Sequence, residues 1–310
     1  MSVEVLSSLR HTCARCGGSC QGSFAYLLDD GERLRVQEQA AALGVAHPIE
    51  DGHLRHLHGR CVFLAEDGGC RVHTTFGYDA KPTVCRQFPL VALRANGGLR
   101  AGIDPGCYAS LATWQSAPEI PDPQLVAHRM DLPPHHHTWE AAFLDRSQST
   151  TRIGPALGLI TGAAVAPNKL PPGFAERWLA RLKAADIGPL INLPDTPPAM
   201  RERLTPLAQA AVGWSAPPAW GTLSNESEAW AVDATRRMIH LRLATTIPVP
   251  AGVALLSLAG AVTAAWLDPR PEVFGPTVSA WLRALRAPDF WTALVPDAQA
   301  MQELATGPRS

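Results

Sequence analysis

Cys13-Ala-Arg-Cys16-Gly-Gly-Ser-Cys20 (CARCGGSC, residues 13–20) sets three thiols at C-x2-C-x3-C spacing. Thiols this close can converge on one centre, and Gly17 and Gly18 free the backbone to wrap around it. Three ligands leave a coordination shell incomplete, so a distant residue must close it. Cys61, Cys70, Cys85 and Cys107 are the remaining thiols, each at an expected turn or element end. Zinc takes four ligands in a tetrahedron, often four cysteines or three cysteines and a histidine. A [4Fe–4S] cube also takes four thiolates. Seven cysteines make one four-thiolate site with three left over. Those three gain a fourth partner in His73, three residues after Cys70, for a zinc site. Alternatively, three cysteines hold a cubane whose fourth iron stays open, or one site stands beside three bystander thiols. The clustering argues against seven unrelated thiols.

All seven cysteines lie at or before Cys107, and the rest of the chain contains none. A proline-rich stretch, Ala117 to Pro123, follows and suggests a boundary. The expected organisation is an α+β chain. A small irregular cysteine-rich metal-binding domain (1–116) precedes a mostly α-helical domain (124–310).

Composition narrows the function. The 310 residues are 46% apolar and 18% charged, with a net charge of −1, so the chain folds and has no basic footprint for nucleic acid. MSVEVLSSLRHT carries Glu4 and no apolar signal core, which leads to an expected cytoplasmic, reducing location. Thiol clusters there mean metal or catalysis rather than disulfides. Residues 251–267 (AGVALLSLAGAVTAAWL) carry no charge but lack flanking lysine, arginine or aromatic belts. They read as a core helix, and no membrane span is expected.

In the first region, Asp29-Asp30 caps a helix running to Gly44. CVFLAEDGGCRVH (61–73) reads as two short strands around a glycine turn. Residues 89–104 read as a hairpin about Asn96-Gly97. The second region reads as helices, with weak strand signals: Pro172 to Ile187 stopping near Gly188, a capping box of Asn225 with Glu228 opening a helix toward Thr245, the apolar segment 251–267, and Thr277 to Ala287.

CARCGGSC, CVFLAEDGGCRVH, GYDAKPTVCRQFPL and DPGCY together resemble the YkgJ-like cysteine-cluster family, described as zinc- or iron-chelating. The most specific part is K-P-x-x-C-R-x-F-P, here Lys81, Pro82, Cys85, Arg86, Phe88 and Pro89; the likeness covers residues 13 to 107. Many members read C-x2-C-x3-C-C at the start, where this chain has Gln21. The helical tail, especially residues 240–262, is similar to flagellin lysine N-methylases that share the module. That second likeness implies a protein-lysine N-methyltransferase using S-adenosylmethionine, with a protein substrate that presents lysine. An iron with an open site would chelate S-adenosylmethionine, and the lysine would need a base or a desolvating pocket. No catalytic residue is assigned. Asp104, Arg86 and Tyr78 are the polar groups nearest the cysteines, read as surface salt bridges or turn hydrogen bonds. The alternative is a non-enzymatic metal or iron–sulfur protein whose helical part docks a partner.

Several features read as structural. The C-x2-C-x3-C order is the reverse of the radical S-adenosylmethionine motif. Residues 153–162 (IGPALGLITG) lack the strand a phosphate loop needs. His53, His56 and His58 read as solvated or packing residues, although His56 and His58 come nearest to a ligand role. His135, His136 and His137 read as an exposed loop, Arg236 and Arg237 as reaching solvent, and the nine tryptophans as core.

Overall fold

The computed structural model describes residues 3–6, 9–14, 16–21, 25–95, 98–120, 125–130, 133–221 and 223–307. The chain is α+β: many helices beside small sheets.

Strand β1 (Val3–Val5) is followed, past the cysteine loop, by helix α1 (Asp30–Ala42). Asp29 accepts from the Glu32 N–H (2.7 Å) and Glu32 reaches back to the Leu28 N–H (2.8 Å), a reciprocal cap. Glu32, Val36 and Ala40, four residues apart, form the buried face. Gly44, at φ +65°, stops the helix, with the Val45 N–H bonded to the Ala40 carbonyl (2.8 Å). The expected boundaries of this helix hold.

Two ribbons follow, β2 (Ile49–Glu50) with β3 (His53–Leu54) and β4 (His56–Leu57) with β5 (Arg60–Cys61). Of the two strands expected in CVFLAEDGGCRVH, the second is absent and the first is reduced to Cys61 at the end of β5. One bridge, Leu64 to Cys70, closes the turn, and α2 (Arg71–Phe76) begins at once. A helical turn sends Val72 into a small core with Leu27, Val36, Leu54 and Phe63, and that burial outweighs local strand propensity.

Helix α3 (Thr83–Gln87) leads into β6 (Leu90–Ala95) and β7 (Gly98–Ile103), paired antiparallel from Leu90–Ile103 to Ala95–Gly98. The hairpin is as expected, and its Asn96-Gly97 turn lies outside the described residues. Helix α4 (Ser110–Thr113) and strand β8 (Ala127–Arg129) come next. The sheet order is β1-β7-β6-β8, with both outer strands parallel to their neighbours. Strand β8 therefore joins, from beyond the proline-rich stretch, a sheet built before it. Its three residues are too short to show a period.

The remaining helices are α5 (Pro134–Arg146), α6 (Ile153–Thr161), α7 (Phe174–Ala185), α8 (Gly188–Ile191), α9 (Pro198–Gly213), α10 (Asn225–His240), α11 (Pro250–Leu267), α12 (Pro271–Ala284), α13 (Pro288–Leu294) and α14 (Ala298–Thr306). The apolar segment is α11, packed against α6, α9, α10 and α12 at the centre of the main core. Among the described residues no helix is long and apolar enough to cross a membrane. A Cβ at Gly260 would lie 2.1 Å from Trp281 Cδ1, so glycine there is what lets α12 press its indole onto α11. Two of the buried indoles find partners: Trp281 Nε1 donates to the Leu256 carbonyl (2.9 Å) and Trp178 Nε1 to Thr263 Oγ1 (2.7 Å).

Local expectations change in six places. Ser224, not Asn225, caps α10, and Glu228 instead accepts from the Ile153 N–H (2.9 Å) and pairs with Arg152 (2.8 Å). Helix α10 ends at His240, short of Thr245, because the chain turns through Arg242 at φ +49°. Helix α7 ends at Ala185, in a left-handed Asp186, rather than near Gly188. Helix α12 begins at Pro271, six residues before Thr277, where proline suits a first turn. His135 to His137 open α5 behind Pro134 rather than forming a loop. Arg237 is buried at 4% exposure instead of reaching solvent, and pairs with Asp233 (2.7 Å), because α10 is packed on nearly all sides.

Candidate functional site

A cavity of about 1430 Å³ lies between the cysteine-bearing segments and the helices α8, α9, α12 and α13. Cys13, Cys16, Cys20, Cys61, Cys70, Cys85, Cys107 and His73 all line it. Sequence spacing singled out these eight residues; their shared cavity is new.

Local structure explains each position. Cys20 closes a short turn through its N–H to the Gly17 carbonyl (2.9 Å). Gly17 sits at φ +64°, and a Cβ there would come within 2.8 Å of the Gly68 carbonyl oxygen. Only glycine lets the loop press so closely on the 67–70 turn, beside Cys70. Cys61 ends β5 opposite His56, and Cys70 begins α2, which also carries His73. Cys85 rides on α3, whose first N–H, from Thr83, donates to Glu32 Oε1 (2.7 Å). Cys107 is buried after β7, its carbonyl accepting from Ser279 Oγ of α12 (3.1 Å).

The thiols act on one another. Burial pushes the Cys61 thiol up to about 12, reinforced by Cys20 and Cys70. Burial also raises Cys85, with Cys61, Cys20 and Cys70 adding and Lys81 opposing. Cys20 is raised by burial, then by Cys70, Cys13 and Cys16, again against Lys81. Cys13, Cys16, Cys20, Cys61, Cys70 and Cys85 are thus linked electrostatically. Among the described residues, no three His, Cys, Asp or Glu side chains are arranged to hold an ion as they stand. The thiols share a wall without closing on a common point.

No protein-family model, curated protein or solved structure matches the chain.

The donor chemistry is soft sulfur with imidazole, the set that suits zinc and iron–sulfur clusters rather than magnesium or calcium. Asp104, the buried carboxylate of the cavity, does not compete. Burial alone would raise it, but Arg286 (3.0 and 2.5 Å) and Arg283 hold its carboxyl below the usual range. Asp104 makes the expected turn hydrogen bond, accepting from the Gly106 N–H (2.7 Å), but its ion pair with Arg286 is buried rather than at the surface, since Asp104 is only 3% exposed. Tyr78 and Arg86 keep a local role, the Tyr78 hydroxyl donating to the Arg86 carbonyl (2.6 Å), and neither lines the cavity.

His56 is half-buried in the cavity wall, its Nδ1 on the Leu54 carbonyl (2.9 Å), and burial lowers its pKa. Of the two expected roles, solvated or packing, His56 takes the packing one, whereas His58 is exposed at a left-handed turn. Sequence reasoning missed His11, two residues before Cys13, which lines the cavity with Nδ1 3.2 Å from Thr113 Oγ1. It also missed Arg283 and Arg286, which no motif marks. Gln21, where the resembled family often has cysteine, accepts from the Ala199 N–H of α9 through Oε1 (2.7 Å).

Proposed function

We propose that this chain is a cytoplasmic metal-binding cysteine-cluster protein, with zinc or an iron–sulfur cluster held on the thiol wall of the cavity. The observation that carries this reading is that all seven thiols, drawn from segments spread between Cys13 and Cys107, line one cavity together with His73. Thiols gathered by chance would be distributed through the cores as ordinary small hydrophobes. A metal supplies the attraction that closes such a group, since each ligand gives up its proton and the binding energy becomes folding energy. The likeness to the YkgJ-like family points the same way. Cys13, Cys16, Cys20, Cys61, Cys70 and Cys85 are the proposed ligands, with His73 and Cys107 within the same wall.

Anaerobic purification followed by visible absorbance and iron, sulfide and zinc analysis tests this. Stoichiometric iron with sulfide, or stoichiometric zinc, is expected. Metal-free protein with seven titratable thiols and unchanged stability would overturn it.

One observation favours a second, narrower reading as a protein-lysine methylase. The cavity exceeds the roughly 300–1,000 Å³ of a small-molecule site, and continues past the thiols to an apolar wall that includes Met200, Leu204, Leu243 and Phe290. That leaves volume for S-adenosylmethionine and a substrate lysine beside the metal. An open iron, when bound, supplies Lewis acidity and a template. The apolar wall would desolvate an amine and favour its neutral form. Calorimetric titration of the metal-loaded protein with S-adenosylmethionine separates this from a non-enzymatic docking protein, for which no binding heat is expected.

A further inference from the structure

We propose that Arg283, far from the cysteines in sequence, is the positioning residue that holds the thiol-bearing segments in register. The proposal rests on the reading that the thiols bind metal, and it extends the metal site into the helical part.

Four contacts carry it. Arg283 Nη1 donates to the Gly18 carbonyl (3.1 Å) and to the Gln21 carbonyl (3.0 Å), which flank Cys20. Its guanidinium lies 5.9 Å from the ring centre of Phe88, three residues after Cys85. It lies 5.3 Å from the ring centre of Tyr108, which follows Cys107. One side chain on α12 therefore touches the loop of Cys16 and Cys20, the Cys85 segment and the Cys107 segment. It is 8% exposed and lines the cavity.

The geometry suits arginine. A planar guanidinium donates to two carbonyls while presenting its faces to aromatic rings, and a lysine ammonium cannot do both. Gln21 adds a second tie from the same loop to the helices, through the Ala199 N–H. The loop is held from the helical side at two points, although both lie outside the cysteine pattern. Residues that orient ligands without touching metal commonly change affinity by about 10–100-fold when replaced.

The test uses the full-length protein loaded with Co²⁺, as wild type, R283Q, R283K and V262A. Val262 is fully buried in α11, which packs chiefly on α5, α6, α9, α10 and α12, so V262A serves as a control that lowers stability from within the helical core. The readouts are the thiolate-to-cobalt absorbance and the rate of Co²⁺ transfer to excess chelator. R283Q is expected to release Co²⁺ about 10–100-fold faster with an altered absorbance band. R283K should fall between R283Q and wild type, and V262A should match wild type. If R283Q fails to fold, R283K carries the comparison. Release from R283Q or R283K at the wild-type rate would overturn the proposal, as would equal acceleration in V262A. A wild-type protein that takes up no Co²⁺ would overturn the metal reading itself.

Discussion

Replacing Gly17 and Gly44 separately by alanine isolates the close approach that brings the cysteine loop to its partner turn. The two glycines have nearly the same backbone angle, φ +64° and +65°. Alanine costs about 1–2 kcal/mol in the left-handed region wherever it occurs. At Gly44 an added Cβ meets nothing within 4 Å, so strain is the whole cost. At Gly17 it would lie 2.8 Å from the Gly68 oxygen and 2.9 Å from the Gly68 Cα, both backbone atoms that cannot rotate away. Forcing them apart adds about 1–3 kcal/mol, the usual cost of overpacking. G17A is therefore expected to lose about 2–5 kcal/mol and G44A about 1–2. The displaced loop carries Cys16 and Cys20 away from Cys70, so G17A should also bind metal more weakly, whereas G44A should not. Urea unfolding of the metal-free proteins and competitive metal titration measure the two effects. Equal stability losses, or unchanged metal affinity in G17A, would refute the reasoning.

E32A removes a carboxylate that accepts from the Leu28 and Thr83 N–H groups, 2.8 and 2.7 Å away. Two hydrogen bonds to a charged acceptor make a loss of about 3–5 kcal/mol the expected result in chemical denaturation, with Cys85 modified faster by thiol reagents; protection of Cys85 equal to wild type would count against Glu32 holding α3. His240 is fully buried, and burial followed by the charge of Arg100 lowers its pKa below the ordinary 6.5. The unfolded chain takes the proton first, so stability is lost as pH falls from about 6.5 toward the folded-state value. H240Q, which keeps a donor for the Glu4 carbonyl 3.3 Å away, should flatten the fall in Tm between about pH 7 and 5; parallel curves would mean that other groups carry the acid response.

Legibility in the sequence followed the range over which each signal acts. The α1 caps, the β6–β7 hairpin and the buried α11 are short-range patterns, and all three stand as expected. The ligand candidates were legible because thiol spacing is a strong local signal. The second strand of 61–73 failed because Val72 gains more by entering the small core than by extending a ribbon. Arg237 failed for a similar reason: α10 is buried on nearly all sides, and Asp233 one turn earlier neutralises the charge. Strand β8 and the cavity-lining arginines left no local trace, since their roles depend on segments far away in the chain.

Gln21 joins the local and the long-range parts of the site. By resemblance its position is a vacant thiol, which suggests a shell left open. In the fold its amide oxygen caps the first turn of α9, and its carbonyl accepts from Arg283. A cysteine side chain is shorter and a weaker acceptor, so it would leave the Ala199 N–H without this partner. Gln21 makes docking contacts to α9 and α12 instead. With the loop tied there, the wall opposite the thiols is formed by α9, α12 and α13, and the cavity gains its apolar side. The helical part is thus a structural component of the site, and removing it would release the loop that carries three of the seven thiols.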